Sequence, residues 1–293
     1  MTLEQLRIFV AVAERLHMTR AAEALHITQS AASAAVAALE ERYGALLFDR
    51  VGRGLVLSEA GRLFLPEAKA VLGRADNARQ VLDDLAGLKR GLVTIHASQT
   101  SATYWLPPRL ARFARAYPQI ELRLSIGNTA QVARAVMEGE AELGFVEGPV
   151  EEPSLAHARI ASDRLTLVTA PSHRLVSVGT VTPDDLAAAS WVLREPGSGT
   201  RAELEHALLA IGVDPARLNA VLVLPSNEAI AAAVSAGGLI AAVSELAVKS
   251  MVEIGRLCQP VFEFPERPFE LLTHKERRRS RAAAAFIERL GTE

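Results

Sequence analysis

TQSAASAAVAALEERY, Thr28 to Tyr43, is the stretch that decides how the N-terminal part of this chain folds. Its composition favours helix, and the first half, Gln29 to Ala35, carries neither charge nor bulk. Exposed helices of globular proteins are normally covered by Lys, Glu and Arg, which favour helix and keep it dissolved. A face of small and hydroxyl residues instead lets a helix approach another surface closely. That surface is either the rest of the protein or the floor of a DNA major groove. The flanking residues decide between them.

Upstream, Thr2-Leu3-Glu4-Gln5 has the spacing of a capping box and predicts a helix with Leu6, Phe9, Val10 and Ala13 on one face. Thr19 is placed to cap a short second helix containing Ala21, Ala22, Ala24 and Leu25. His26-Ile27 then makes a tight turn, with Ile27 in the core and Thr28 capping the third helix, which turns Val36 and Leu39 inward and ends at Gly44. Three short helices, the last two joined by a tight turn, form a helix-turn-helix. Downstream, Leu46 to Arg50 and Leu55 to Leu57 read as two strands around Val51-Gly52-Arg53-Gly54, a hairpin with Arg50 and Arg53 near its tip. Such arginines are either solvated or clamp phosphate and the minor groove. A position directly after a helix-turn-helix favours the second role.

The 293 residues, 49% hydrophobic and 23% charged, suit a globular protein of two or three units. The first residues lack the order of a signal peptide, and no apolar stretch has the length to span a bilayer, so no membrane is expected and a cytoplasmic location is. A single cysteine, Cys258, excludes an internal disulfide and any Cys-rich zinc site. Net charge is -2, and residues 1–62 hold seven Lys and Arg against seven Asp and Glu. DNA binding by so neutral a segment has to rely on local charges and on oligomerisation, with a modest salt slope for one half-site.

Phe9 through Gly61 resembles the winged helix-turn-helix of LysR-type transcriptional regulators. The resemblance rests on Ala21-Ala22-Glu23-Ala24-Leu25, Thr28-Gln29-Ser30, Ser33, Leu39-Glu40, Leu47-Phe48-Asp49-Arg50 and Leu57-Ser58-Glu59-Ala60-Gly61. It implies DNA reading by Gln29, Ser30 and Ser33 together with the wing arginines, and we take Arg20, Thr28, Gln29, Ser30, Ser33, Arg50 and Arg53 as the candidate DNA-binding set. Two positions depart from the commoner family pattern: Ser30, where proline is frequent, and Ala34, where a basic residue is frequent.

Ser58 is placed to cap a long helix reaching about Leu85 and ended by Gly87 and Gly91. Phe64, Ala68, Val71, Ala75, Ala78, Leu82 and Leu85 form a heptad seam, the pattern of two helices packing together; the alternative is one amphipathic helix packed on its own domain. Pro66 inside the seam is expected to bend or weaken it locally. A dimer would present two recognition helices to two half-sites.

From Gly91 onward strands and helices alternate. Leu92 to Ala97, Glu121 to Ile126 and Glu142 to Val146 read as strands, separated by helices at Trp105 to Tyr117 and Thr129 to Glu138. A second unit runs from Leu165 to Val168 through Ser190 to Leu193, a helix from Thr200 to Ile211, Val221 to Leu224 and a helix from Asn227 to Ala236. Leu239 to Val243 is expected to lead back toward the first unit, and a helix from Ser280 to Leu290 closes the domain. This order implies parallel sheets with crossover helices. Two such lobes resemble the periplasmic-binding-protein-like effector domain of the same family. The fold expected is therefore multidomain α+β. A winged helix-turn-helix takes residues 1–58 and a linker helix for dimerisation 59–90; a two-lobed α/β effector domain takes 91–293, with lobe I at 91–161 and 266–293 and lobe II at 162–265.

Ligands of open parallel sheets bind beyond the carboxyl ends of strands, where helix N-termini favour anions. Two such places are rich in small polar residues: Ser98-Gln99-Thr100-Ser101, and Arg194 to Arg201 with Gly197, Ser198, Gly199 and Thr200. Thr129 and Glu147-Gly148 offer further walls. Hydroxyls at such places also simply cap helices, and Arg194 and Arg201 either neutralise a ligand or pair with Glu195 and Glu203. The candidate effector set is Ser98, Gln99, Thr100, Ser101, Thr129, Glu147, Arg194, Gly197, Ser198, Gly199 and Thr200. The expected effector is a small anion, an inorganic oxyanion or short carboxylate. Similarity to the branch of the family that controls sulfur assimilation and carbon fixation points to sulfite or sulfate.

No G-x-S-x-G elbow, H-E-x-x-H or P-loop is present, so neither an enzyme nor a cofactor or metal site is expected. The basic run Lys275, Arg277, Arg278, Arg279 and Arg281 reads as a solvated approach to the last helix. A transcriptional regulator that binds promoter DNA and a small anionic effector, as a homodimer and homotetramer, is the function expected. The rivals are a solute receptor, which the missing signal peptide disfavours, and an enzyme using the interlobe cleft.

Overall fold

The computed structural model describes residues 1–51, 54–85 and 91–291; Arg53 and Gly87 lie outside them. The chain divides into two compact units, the first of which spans Met1–Leu85. There α1 (Leu3–Arg15), α2 (Met18–Ala24) and α3 (Gln29–Tyr43) precede a hairpin of β1 (Phe48–Val51) and β2 (Gly54–Leu57), and α4 (Glu59–Leu85) follows. The capping box at Thr2 and Gln5 is formed. The second helix starts earlier than Thr19 predicts. His17 is its N-cap, the ring Nδ1 accepting from the Arg20 N–H at 3.3 Å. Phe9, Val12, Ala21, Ala32, Val36 and Leu39 form the core of this unit.

Ser58 holds the hairpin to α4 from both sides: its hydroxyl donates to the Leu46 carbonyl at 2.6 Å and accepts from the Gly61 N–H at 2.9 Å. The helix runs unbroken through Pro66. Its heptad seam is divided. Phe64 lies 5.0 Å from Phe9 ring to ring and Ala68 is fully buried in the same core, so this part packs on its own unit, whereas Val71 is exposed. The side chains of Leu82 and Leu85 lie outside the described residues.

The second unit is built on one eight-stranded sheet. Its elements run β3 (Gly91–Ser98), a π-helical turn (Ser101–Trp105), α5 (Leu106–Ala116), β4 (Ile120–Gly127), α6 (Thr129–Glu138), β5 (Leu143–Glu147) and the long β6 (Leu155–Thr169). There follow α7 (Pro183–Ala187), β7 (Ser190–Arg194), α8 (Gly199–Ala210), β8 (Asn219–Leu224), α9 (Asn227–Ser235), β9 (Ile240–Ser244), α10 (Glu245–Glu253), β10 (Glu266–His274) and α11 (Arg281–Leu290). The strand order is β4-β3-β5-β10-β6-β9-β7-β8. Pairing is parallel within each lobe, β3 with β4 and β5, β7 with β8 and β9. The two long strands that join the lobes, β6 and β10, are antiparallel to each other.

The strand leading back to the first lobe is β10, not Leu239 to Val243. That segment, as β9, stays inside the second lobe between β6 and β7. Both faces of the sheet are covered, as crossover helices require. In the second lobe Trp191, Leu193, Ile240 and Ala242 point to one core and Val192, Ala241 and Val243 to the other. In the first lobe Ile95, Phe145, Phe269 and Phe286 pack on one face, and Val132, Val136, Val146 and Leu272 on the other.

Candidate nucleic-acid interface and effector site

In the first unit Thr28 is the N-cap of α3, its hydroxyl oxygen accepting from the Ala31 N–H at 3.2 Å and lying 3.0 Å from the Ser30 hydroxyl. Gln29 donates from Nε2 to the Ser33 hydroxyl at 2.9 Å, one turn on. That bond leaves Gln29 with its carbonyl oxygen and a second N–H, the acceptor and donor that match an adenine edge. Arg20, Gln29, Ser30 and Arg50 are exposed, Ser33 is half-buried, and Ala31, Ala34, Ala37 and Ala38 complete an exposed surface of small residues.

In the second unit the lobes meet where the sequence places the effector. Helix N-termini after β3, β4, β7 and β8 converge there, and their polar residues are engaged with one another. Glu147, 2% exposed at the end of β5, accepts from the hydroxyls of Ser98 and of Ser101, the latter at 3.3 Å, while its backbone oxygen accepts from Thr129 at 2.9 Å. Gly199, the first residue of α8, lies so close that a Cβ there would sit 1.5 Å from the Glu147 carbonyl oxygen. Gly148, at φ +96°, packs on Gly199 from the other side, where its own Cβ would be 2.6 Å from the Gly199 Cα. The lobes therefore touch backbone to backbone.

Beside this contact the N-terminus of α9 is gripped by the first lobe. The Asn227 N–H donates to Gln99 Oε1 at 3.1 Å and its Nδ2 to Thr100 Oγ1 at 3.1 Å. Glu228 accepts from Gln99 Nε2 at 2.6 Å and from the Tyr104 hydroxyl at 2.7 Å. Asn227, Glu228 and Tyr104 are missing from the sequence-derived set: Asn227 and Glu228 open the helix after Val221 to Leu224 and so meet the criterion applied to the other strand ends, whereas nothing local marks Tyr104. Arg194 is spent: Nε and Nη2 grip both oxygens of Glu195 at 2.8 and 3.0 Å, and Nη1 donates to Asn227 Oδ1 at 3.3 Å. Arg201 pairs with Glu205 at 2.7 Å, not with Glu203. Gly197 accepts from the Ala130 N–H at 3.2 Å, and Ser198 makes no capping bond. Thr129, Gly197, Ser198 and Gly199 line an open groove of about 490 Å³; Ser98 to Ser101 do not.

A second network lies where β6 and β10 cross between the lobes. Arg267 and Asp163, each with a side chain 1% exposed, pair at 2.6 and 2.9 Å through one carboxylate oxygen. The other oxygen accepts from Ser244 at 2.8 Å, and Arg267 Nη1 donates to Thr200 Oγ1 at 3.1 Å.

Burial, then the hydrogen bond to Glu228 and its charge, push the Tyr104 phenol well above its ordinary value of 10.0. A value raised on folding contributes stability that is complete below the unfolded value and lost as pH climbs toward the folded one. Stability of the second unit is therefore expected to fall from about pH 10 upward, with a weaker fall in Tyr104→Phe. Denaturant midpoints followed across that range test this, and parallel curves for the two proteins would refute it.

Three helices with an exposed small-residue third helix and an arginine-bearing hairpin, joined to a two-lobed α/β unit with a polar interlobe site, define a one-component DNA-binding regulator. Residues 3–62 match the family of bacterial regulatory helix-turn-helix proteins of the lysR type, and residues 86–293 match the LysR substrate binding domain. This chain belongs to the LysR family of transcriptional regulators, which are not enzymes. It is 35% identical over 98% of its length to YeiE of Escherichia coli K12, described as an uncharacterized HTH-type transcriptional regulator, and covers 96% of that protein. A probable RuBisCO transcriptional regulator of Cyanophora paradoxa is 31% identical, with 99% of this chain and 91% of that protein covered. Among solved structures, the regulatory domain of CcmR from Synechocystis PCC6803 in complex with 2-PG superposes with a TM-score of 0.64. It is 26% identical, over 69% of this chain and 97% of that domain. No described helix is long and apolar enough to cross a membrane.

Proposed function

We propose that this regulator reads promoter DNA with Gln29, Ser30 and Ser33, supported by Arg20, Thr28, Arg50 and Arg53, and is switched by a small oxyanion bound between the lobes. Pairing of two α4 helices would give a dimer with two recognition helices, and pairing of effector domains a tetramer, in the cytoplasm and without a cofactor. The effector must bind one arrangement of the assembly better than the other, since a ligand shifts an equilibrium only by its differential affinity.

The observation that carries the effector reading is Glu147, a buried carboxylate holding the hydroxyls of Ser98 and Ser101 where the lobes meet. A fully deprotonated dianion there would face a like charge at low dielectric. An oxyanion that keeps one proton can donate to Glu147 and still be accepted by helix N-termini. Hydrogen sulfite fits this chemistry and sulfate does not. 2-PG, named with the Synechocystis domain, belongs in the same panel.

Thermal melting of the full-length protein with sulfite, sulfate and 2-PG tests the reading. Sulfite at a hundredfold excess over its Kd is expected to raise the Tm by about 5 °C or more, and sulfate by much less. No shift with any anion would discard the effector assignment. For DNA, Gln29→Ala is expected to cost about 1–3 kcal/mol of specific over non-specific affinity, read by mobility shift on the upstream intergenic DNA with a competitor. An unchanged ratio would remove Gln29 from the reading face.

A further inference from the structure

We propose that two buried arginines, Arg194 and Arg267, set the hydrogen-bond polarity of the interlobe site by holding Thr100 and Thr200 as hydroxyl donors toward the effector. The assignment rests on the oxyanion reading above. A guanidinium carries N–H donors and no acceptor, so a hydroxyl that meets one must accept. Arg267, fixed by Asp163, does this directly to Thr200. Arg194 does it through an amide: its Nη1 faces Asn227 Oδ1, which turns the Asn227 NH₂ group onto Thr100 Oγ1. The reversed amide would set donor against donor, so the orientation is chemically determined.

Thr100 and Thr200 are 0% and 1% exposed. Both accept, and among the described residues no hydrogen-bond acceptor is in place for the proton of either. A buried donor is ordinarily matched, and the group that matches these two is an oxygen with a free lone pair, such as those of an oxyanion. Around Glu147 the polarity is reversed, because the carboxylate accepts hydrogen bonds from the hydroxyls of Ser98 and Ser101. One side of the site thus gives protons and the other receives one. That pattern selects an acid group with bare oxygens and a single O–H. Neither arginine touches the ligand; both are positioning residues.

Calorimetric titration of the full-length protein with sulfite separates this role from a structural one. Asn227→Asp keeps the shape, leaves a carboxylate at a helix N-terminus where it is favoured, and makes Thr100 donate to residue 227 instead. We expect the affinity for sulfite to fall about tenfold or more in Asn227→Asp but less than about twofold further when the same change is made in Thr100→Val. Thr200→Ser should bind within about threefold of the parent, and Thr200→Val about tenfold or more weakly. Asn227→Asp binding like the parent, or losing equally in both backgrounds, would overturn the polarity assignment alone. If the parent binds no anion of the panel, the oxyanion reading falls and takes this assignment with it.

Discussion

Gly199→Ala is expected to hold the two lobes apart while leaving each lobe folded. The added Cβ would lie 1.5 Å from the Glu147 carbonyl oxygen, 2.6 Å from its carbonyl carbon and 2.6 Å from Thr129 Oγ1. The first two atoms belong to the backbone of β5, which is buried along its whole length, so neither can swing aside. Alanine suits the first turn of α8, so the helix itself gains. Over-packing costs about 1–3 kcal/mol and sometimes more, and a backbone overlap this deep belongs at the upper end. About 3 kcal/mol corresponds to roughly a hundredfold loss of the closed arrangement. Hydrogen exchange should therefore accelerate at the amides of Asn227 and Ala130, which donate across the lobes to Gln99 and Gly197, with the sheet amides still protected, and sulfite affinity should fall with the closed population. Unchanged protection at the interlobe amides would show that the Gly199 contact does not control closure.

The second large effect is expected at the strand crossing. Arg267→Met removes one partner of an ion pair whose side chains are both 1% exposed, leaving Asp163 with the Ser244 hydroxyl alone. Breaking a buried pair from one side costs about 3–5 kcal/mol, whereas replacing both partners with apolar residues is often neutral. Denaturant unfolding should therefore show a loss of that size for Arg267→Met and recovery of most of it in Asp163→Leu/Arg267→Met. A loss below about 1 kcal/mol in the single variant would mean that water or a rearranged neighbour compensates Asp163.

These two sites differ in how far the sequence reveals them. Glycine and small hydroxyls after predicted strands mark Ser98 to Ser101 and Gly197 to Thr200, because turn chemistry and helix starts are local. The winged unit is legible for the same reason: the Thr2 capping box, the Gly44 stop and the hairpin are each set by residues close together in sequence. Asp163 and Arg267 pair over 104 positions of sequence, and no periodicity announces that. The first half of β6 is exposed along His157 to Arg159, so it lacks the alternation that betrays a strand. β10 opens with Glu266-Arg267-Pro268, which reads as a break. The early start of α2 was hidden by an uncommon cap, a histidine ring in place of a hydroxyl. In the linker helix one heptad spacing serves two purposes that sequence alone does not separate, since Phe64 and Ala68 join the core of their own unit while Val71 is exposed.

The exposed small residues of α3 carry a further consequence. Ala31, Ala34, Ala37 and Ala38 have no side-chain torsions to freeze, and Gln29 is already tied to Ser33. An ordinary basic recognition helix surrenders the rotamer freedom of several long side chains when it docks, on the order of 0.5–1.5 kcal/mol each. This helix surrenders almost none. Its docking should therefore carry a small conformational-entropy penalty and discriminate by fit, so that a base change which spoils the fit finds no flexible cation among Gln29 to Ala38 able to re-aim.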